Sequence, residues 1–386
     1  MPKDVGFVTM GNAAEMRDVP EIGIGMLGYA FMGKAHANGY KQMPYIFWPP
    51  PALPKLVSIA GRSEEPVRTA AARYGFARAV TDWRAVVDDP EVQVFDNCGP
   101  NNLHAEPSIA AAEAGKHVIC EKPLALSSGD TGAMLAAAER AGVVHAVPFA
   151  YRFYSTVRAA RARVGDGSTG PIRLLHGTYL QDWLSDDTAS TWRVDDGLGG
   201  RTRVFGDIGV HWCDLAEFVS GHRIVRLEAQ FLTAHPERGP HGARVPVDTE
   251  DCVTVTFRTD LGAIGTVVLS QVSTGHKNRL WLSVEGADQS LVFDQENPET
   301  LWAGHRDRIE IVPRAAGGPG RYDAVPVGHP QGYQECFTAL VRDVHDAIHG
   351  NVPDGLPTFA DGHRAALLTD AVVRSATTGA PVELAR

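Results

Sequence analysis

Through the first 150 residues, short apolar runs alternate with amphipathic or alanine-rich stretches. Residues 21–27 read as a buried strand and 31–43 as a helix. Further strands are expected at 56–60, 92–97, 116–120 and 143–148, with helices at 83–87, 105–114 and 129–141. Strands separated by helices of this length predict a doubly wound parallel sheet. From about residue 151 the pattern changes. Residues 173–180, 225–233, 252–258, 263–270, 280–285 and 290–294 read as six strands. The turns at 260–262 and 286–289 are short and polar or glycine-bearing, as hairpins require, so this second sheet is expected to be mostly antiparallel. Helices at 332–348 and 359–377 close the chain, the last expected to pack back on the first domain.

Composition narrows the class. A chain of 386 residues is long enough for two domains, each with its own core. The formal charge of −10 argues against nucleic acid, and no basic run contradicts it. Cys98, Cys120, Cys213, Cys252 and Cys336 are odd in number and show no CxxC spacing, so reduced thiols in a cytoplasm are expected. No segment has the length and apolarity of a membrane span, and no signal-peptide pattern opens the chain.

Candidate chemistry gathers where strands end. In residues 22–36, IGIGMLGYAFMGKAH, two glycine registers compete. Gly23, Gly25 and Gly28 would lie mostly within the strand. Gly28, Ala30 and Gly33 place the turn where the strand stops and set a helix N-terminus toward a pyrophosphate, so this register is preferred. Ala30 in the middle leaves less room than glycine. An acid that binds the adenosine ribose is expected after the second strand, but Gly61, Arg62 and Ser63 stand there, with no acid until Glu64. Arginine and serine suit a 2′-phosphate, which favours NADP over NAD. Pro100 and Asn101, in NCGPNNLH, can border the nicotinamide side. Glu121, Lys122 and Pro123 end another strand, beyond which ligands bind in such sheets. Lys122 there is either a proton-exchanging cation beside a cofactor or a solvated strand end. The expected architecture is α/β: a loose extension over 1–20, a dinucleotide-binding Rossmann domain over 21–150, and an α+β domain over 151–386 with a large, mostly antiparallel sheet. Gly6 and Gly11 in the extension imitate a second fingerprint, but no helix follows.

In the second domain, a helix beginning at Asp207 would put Asp207, His211 and Asp214 on one face, where an acid and a histidine can share a proton. The alternatives are a satisfied core histidine or a metal site. The latter lacks further Cys or His ligands, and no metal is expected. TYLQDW, residues 178–183, brings Tyr179, Gln181, Asp182 and Trp183, the mixture of aromatic face and polar groups that sugars ask for, with Trp192 and Arg193 as additions; a Trp and Tyr pair also suits a core. Arg201 and Arg203 read as solvated loop charges.

Residues 28–36, Pro100, Asn101 and His104, the run 114–123 and the stretch 207–214 together resemble the Gfo/Idh/MocA family of NAD(P)-dependent sugar and cyclitol oxidoreductases, over about residues 21–380. Within it, FMGKAH at 31–36, FWPPPALP at 47–54 and TYLQDW resemble the levoglucosan-type sugar dehydrogenases. The resemblance implies NAD(P) held by Gly28, Ala30, Phe31, Met32, Gly33, Gly61, Arg62, Ser63, Pro100, Asn101, His104, Glu121 and Lys122. It implies catalysis by Lys122, His211 and Asp207 on a small polyhydroxylated substrate, and a homodimer or homotetramer formed through the open sheet. Ala150 before Tyr151 and Arg152 departs from the asparagine often found there, which puts one contact in doubt. A glycosidase that retains NAD and a non-catalytic dinucleotide-binding regulator are the alternatives within the family; the intact Glu121-Lys122-Pro123 and Asp207/His211 weigh against the regulator.

Overall fold

The computed structural model describes residues 18–385 except 190, 195, 241 and 319, so most of the expected extension over 1–20 lies outside the described residues. The chain forms two compact units.

The first unit comprises Met1–Ala125, Gly129–Phe153 and Arg321–His363. Its strands are β1 (Glu21–Leu27), β2 (Leu53–Ala60), β3 (Arg78–Val80), β4 (Val94–Asn97), β5 (His117–Cys120) and β6 (His145–Ala146). They pair in parallel in the order β3-β2-β1-β4-β5-β6, with the order reversing beside β1. Six of the seven residues of β1 are buried, which explains why its sequence runs apolar instead of alternating. Helices Phe31–Ile46, Glu64–Tyr74, Ala105–Glu113 and Ser128–Ala141 supply the crossovers. Such a sheet opens its ligand crevice at the carboxyl ends of β1 and β4.

The segment 321–363 was expected within the second domain but clusters with the first unit. The reason is apolar burial: helix Tyr333–Ile348 covers Phe337, Leu340, Val341 and Val344, and packs on helix Phe31–Ile46. Gln334 Nε2 also donates to the carbonyl of Ala35 at 2.9 Å. Arg152, beside the departure at Ala150, is buried and paired with Asp361 at 2.8 Å.

The second unit comprises Leu126–Ser128, Tyr154–Gly320 and Arg364–Arg386. Its strands are β7 (Ile172–Leu180), β8 (Ile224–Leu232), a small pair β9 (Glu237–Arg238) and β10 (Val245–Pro246), β11 (Cys252–Thr259), β12 (Ile264–Ser270), β13 (Arg279–Gly286), β14 (Ser290–Asp294), β15 (Thr300–Gly304), β16 (Ile309–Pro313) and β17 (Val382–Glu383). Nine form one sheet in the order β16-β15-β14-β13-β7-β12-β11-β8-β17, antiparallel throughout except where β7 meets β12. Helices Ser155–Gly165 and Val210–Ser220 pack on it, and Trp212 Nε1 donates to the carbonyl of Trp281 at 3.0 Å. Burial alternates along β11 and β12, leaving Thr254, Thr256, Ile264, Thr266 and Val268 exposed in a row of outward positions.

Candidate active site

At the end of β1, Gly28 adopts φ +93°, and a Cβ there would lie 2.3 Å from the carbonyl oxygen of Cys98. Only glycine fits such a turn. Gly33, on the first turn of helix Phe31–Ile46, would carry a Cβ 2.3 Å from the oxygen of Gly28, so the helix can approach the strand end only without one. Gly23 and Gly25 lie inside β1, and the turn belongs to Gly28, Ala30 and Gly33. Ala30 leaves the helix N-terminus without a side-chain cap, and the first turn holds no acid. The N–H groups and the positive end of the dipole therefore remain to meet an anion, which fits the pyrophosphate of a dinucleotide.

Beyond β2, Gly61 lies against the ring of Tyr29, and Tyr74 Oη donates to the Tyr29 carbonyl at 2.8 Å. Arg62 is exposed and Ser63 precedes helix Glu64–Tyr74. Glu64 pairs with Arg68 on that helix at 2.6 Å. Phe31 is also exposed, stacked on Tyr333, whose hydroxyl lies 3.9 Å from the sulfur of Met32.

Buried Asn97 shapes the loop after β4. Its Nδ2 donates to Leu103 and His104 carbonyls and to Ser108 Oγ, and its Oδ1 accepts from Gly99 N. Pro100 is exposed and Asn101 half-buried on this loop. His104, which the resemblance places among the dinucleotide-holding residues, turns its ring inward. Its ring nitrogens lie 2.7 Å from the carbonyl of Pro123 and 3.0 Å from that of Gly99, so it ties this loop to the loop after β5. Burial lowers its pKa. The Lys122–Pro123 peptide is cis.

Beneath Lys122 lies a buried ionic cluster. His36 Nδ1 is 3.0 and 2.9 Å from the two oxygens of Asp96, and its Nε2 is 3.1 Å from Glu121 Oε1. Tyr40 Oη donates to Asp96 Oδ2 at 2.9 Å, and the backbone N–H of Lys122 donates to Glu121 Oε2 at 3.0 Å. Burial works against charge on His36, but the Asp96 carboxylate holds its pKa well above the ordinary value. The possible ligand atoms of His36, Asp96 and Cys98 lie within 4.8 Å of one another. Hydrogen bonds account for that closeness, and burial pushes the Cys98 thiol up.

In the second unit, Asp207 lies in a π-turn, Phe205–Gly209, and the α-helix begins at Val210 rather than at Asp207. His211 and Asp214 are buried on that helix. Gln271 Nε2 donates to Asp207 Oδ2 at 2.7 Å. Where β7 ends, Gln181 Nε2 and Tyr179 Oη both donate to Asn278 Oδ1 at 2.8 Å, and Trp183 Nε1 donates to Gln181 Oε1 at 2.9 Å. Trp183 is 40% exposed, whereas Tyr179 is buried. Asp182 is bound to Lys277 at 2.6 Å and to Gly275 N, and the Lys277 bond lowers its pKa. It thus closes the loop. Trp192 and Arg193 belong to a short 3₁₀ turn, and the side chain of Arg193 lies outside the described residues.

Arg203 corrects the expectation of a solvated charge. It is 2% exposed and pairs with Asp251, which also binds Arg238 at 2.7 Å and accepts from Ala234 N and His235 N. Neighbouring Glu250 accepts from Thr202 Oγ1, Arg203 N and Phe205 N, capping the approach to Asp207. Arg201 remains exposed, near Asp370. His36, Asp96, Glu250, Asp251, Gln271 and Asn278 were missed in the sequence. An aspartate inside the apolar run VFDN, and an adjacent Glu-Asp pair at the start of a strand, were the available signals.

Residues 22–149 match an oxidoreductase family with an NAD-binding Rossmann fold, and residues 157–292 match the GFO/IDH/MocA C-terminal domain. Levoglucosan dehydrogenase of Pseudarthrobacter phenanthrenivorans is 36% identical over 381 residues, covering 92% of this chain and 96% of the relative. Myo-inositol 2-dehydrogenase of Thermotoga maritima is 28% identical over 245 residues, covering 63% and 67%. A solved structure of levoglucosan dehydrogenase in complex with NADH and L-sorbose gives a TM-score of 0.91 at 36% identity, covering 95% of this chain and all of that one. An inositol dehydrogenase homolog from Azotobacter vinelandii, complexed with NAD+, gives 0.83 at 25% identity, covering 97% and 100%.

Asp251→Ala leaves two buried guanidinium groups without their shared acceptor, so it should cost about 3–5 kcal/mol of stability. Burial acts to raise the Asp251 pKa, but the bonds from Arg203 and His235 bring it below the usual value. A lowered folded pKa means its contribution is present above about pH 4 and lost as pH falls through the folded value. Thermal unfolding across pH should show the gap between wild type and variant widest near neutrality and closing in acid. A gap that stays constant down to the acid limit would contradict the assignment.

Proposed function

The chain belongs to the Gfo/Idh/MocA oxidoreductase family, and from that premise we propose that it oxidises or reduces a secondary alcohol of a small sugar, anhydrosugar or cyclitol. The carrying observation is the polar cluster of the second unit, in which Gln181, Gln271 and Asn278 stand with Asp207 and the half-open ring of Trp183. Amides and a carboxylate can pair with ring hydroxyls while an indole covers the C–H face. The names of the relatives, levoglucosan and myo-inositol dehydrogenases, support the same substrate class. The nicotinamide, when bound, supplies the hydride acceptor or donor. Lys122 and His211 are assigned the proton of the reacting hydroxyl, with Asp207, held by Gln271, orienting that exchange. Gly28, Ala30, Gly33 and Asn101 are assigned to hold the dinucleotide.

Purified protein given NAD or NADP and a panel of sugars and cyclitols, read by cofactor absorbance and by chromatography, tests this. At least one polyol ring should be oxidised, and Lys122→Ala and His211→Ala should each cut turnover about 100-fold or more with the dinucleotide Kd nearly unchanged. Wild-type turnover in either variant would make that residue structural. Cleavage of a glycoside without net cofactor reduction would favour the NAD-retaining glycosidase instead.

For the dinucleotide, Arg62 and Ser63 support a grip on a 2′-phosphate, while the NADH and NAD+ in the relatives' structures speak for NAD; a modest preference for NADP is the reading adopted. Arg62→Ala should weaken NADP binding about 30-fold, roughly 2 kcal/mol, and NAD binding less than about threefold. Equal losses for both would reject it.

The exposed row on β11 and β12, with Ile264 and Val268 at 53% and 41% exposure, supports self-association of this open face into a homodimer or homotetramer. Val268→Asp should then shift sedimentation toward the monomer; a monomeric wild type would remove the proposal.

A further inference from the structure

His36 is buried, 1% exposed as a residue, and takes no part in the steps assigned above. Its two nitrogens each face a carboxylate, Asp96 on one side and Glu121 on the other. A neutral imidazole has one N–H, so its second nitrogen would set a lone pair against a carboxylate oxygen. Only the doubly protonated ring satisfies both. The remaining neighbours are consistent with a cation at this place. Tyr40 and the Cys98 thiol point their protons at Asp96, with burial keeping both protonated, and Phe337 of helix Tyr333–Ile348 tilts over the His36 ring at 5.0 Å. His345 of the same helix meets Tyr40 edge-on at 6.1 Å and is held neutral by burial. On the Glu121 side stand the Lys122 amide and three buried groups, His104, whose pKa burial lowers, and the Cys98 and Cys120 thiols, whose pKa burial raises.

We propose that His36 is a positioning residue: a buried imidazolium that bridges Asp96 and Glu121 and, through Glu121, fixes the backbone from which Lys122 projects. The chain of contact is His36 Nε2 to Glu121 Oε1, then Glu121 Oε2 to the N–H of Lys122. Glu121 N is itself bonded to the carbonyl of Asn97 at 2.9 Å, which holds the main chain on which this carboxylate is carried. This rests on the reading of Lys122 as a proton-transfer residue.

Two amide substitutions separate the two bonds. His36→Gln can place its amide nitrogen near the Nε2 position and keep the donor to Glu121, whereas His36→Asn reaches only the Nδ1 position and Asp96. His36→Asn should speed hydrogen exchange at the Lys122 amide about tenfold or more and lower kcat by a similar factor, with dinucleotide Kd within about twofold; His36→Gln should restore both to within about threefold of wild type. In the wild type, ¹⁵N NMR of histidine-labelled protein at pH 8.5 should show both His36 nitrogens protonated. A ring with one unprotonated nitrogen at that pH, or variants whose losses follow their melting temperatures irrespective of which bond they keep, would overturn the proposal. If no substrate is turned over by the wild type, the dehydrogenase reading fails by itself, while the exchange and NMR measurements still decide the role of His36.

Discussion

Charge buried at the carboxyl edge of the parallel sheet is the constraint on which the candidate site depends. Asp96 sits within β4 with no exposed surface, and an unpaired carboxylate there would cost several kcal/mol. His36 resolves that cost from one side and Tyr40 from the same helix adds a second donor. Because the same ring reaches Glu121, helix Phe31–Ile46, β4 and the turn after β5 are locked to one another at the place where Lys122 emerges. The glycine turn contributes to the same lock, since Gly33 lets this helix approach the strand closely enough for His36 to reach inward.

The second unit meets the same difficulty with opposite signs. Arg203 and Arg238 are buried, and Asp251 serves both while accepting two backbone N–H groups. Glu250, beside it, holds the residues leading into the π-turn of Asp207. Glu250 is itself buried, and burial raises its pKa against the hydrogen bonds it receives. A loop that reads in isolation as exposed and basic, RTRVFGD, is thus drawn into the interior from Thr202 onward by acids nearly fifty residues later, while Arg201 stays exposed. Gln271, next along the chain from β12, carries the same framework to Asp207.

Much of this was legible in the sequence. The apolar runs, turn residues and strand-end polar groups located five of the six strands of the parallel sheet, all but β3, and six strands of the second sheet, because period and burial act locally. β15 and β16 escaped notice. Their positions are short, and Ile309 and Ile311 are exposed, so no inward apolar row advertises β16. Helix Tyr333–Ile348 was seen, but its allegiance to the first unit depends on a surface some 300 residues earlier. The register Gly28, Ala30, Gly33 followed from asking where the strand must end. Arg203 was misplaced, and the inward bonds of His104 went unforeseen, for a common reason: a polar side chain shows its type in the sequence, whereas its partners come from other segments. Gln271 and Asn278, uncharged amides without spacing of their own, left no signal.

The central claim is direct transfer of hydride between a polyol carbon and C4 of the nicotinamide. Protein incubated with NAD(P)+ and a sugar or cyclitol deuterated at the reacting carbon, followed by proton NMR of the isolated cofactor, tests it most directly. The account predicts one deuterium at C4 of the reduced cofactor for each ketone formed. Reduced cofactor without deuterium, or consumption of the substrate with no reduced cofactor, would contradict it.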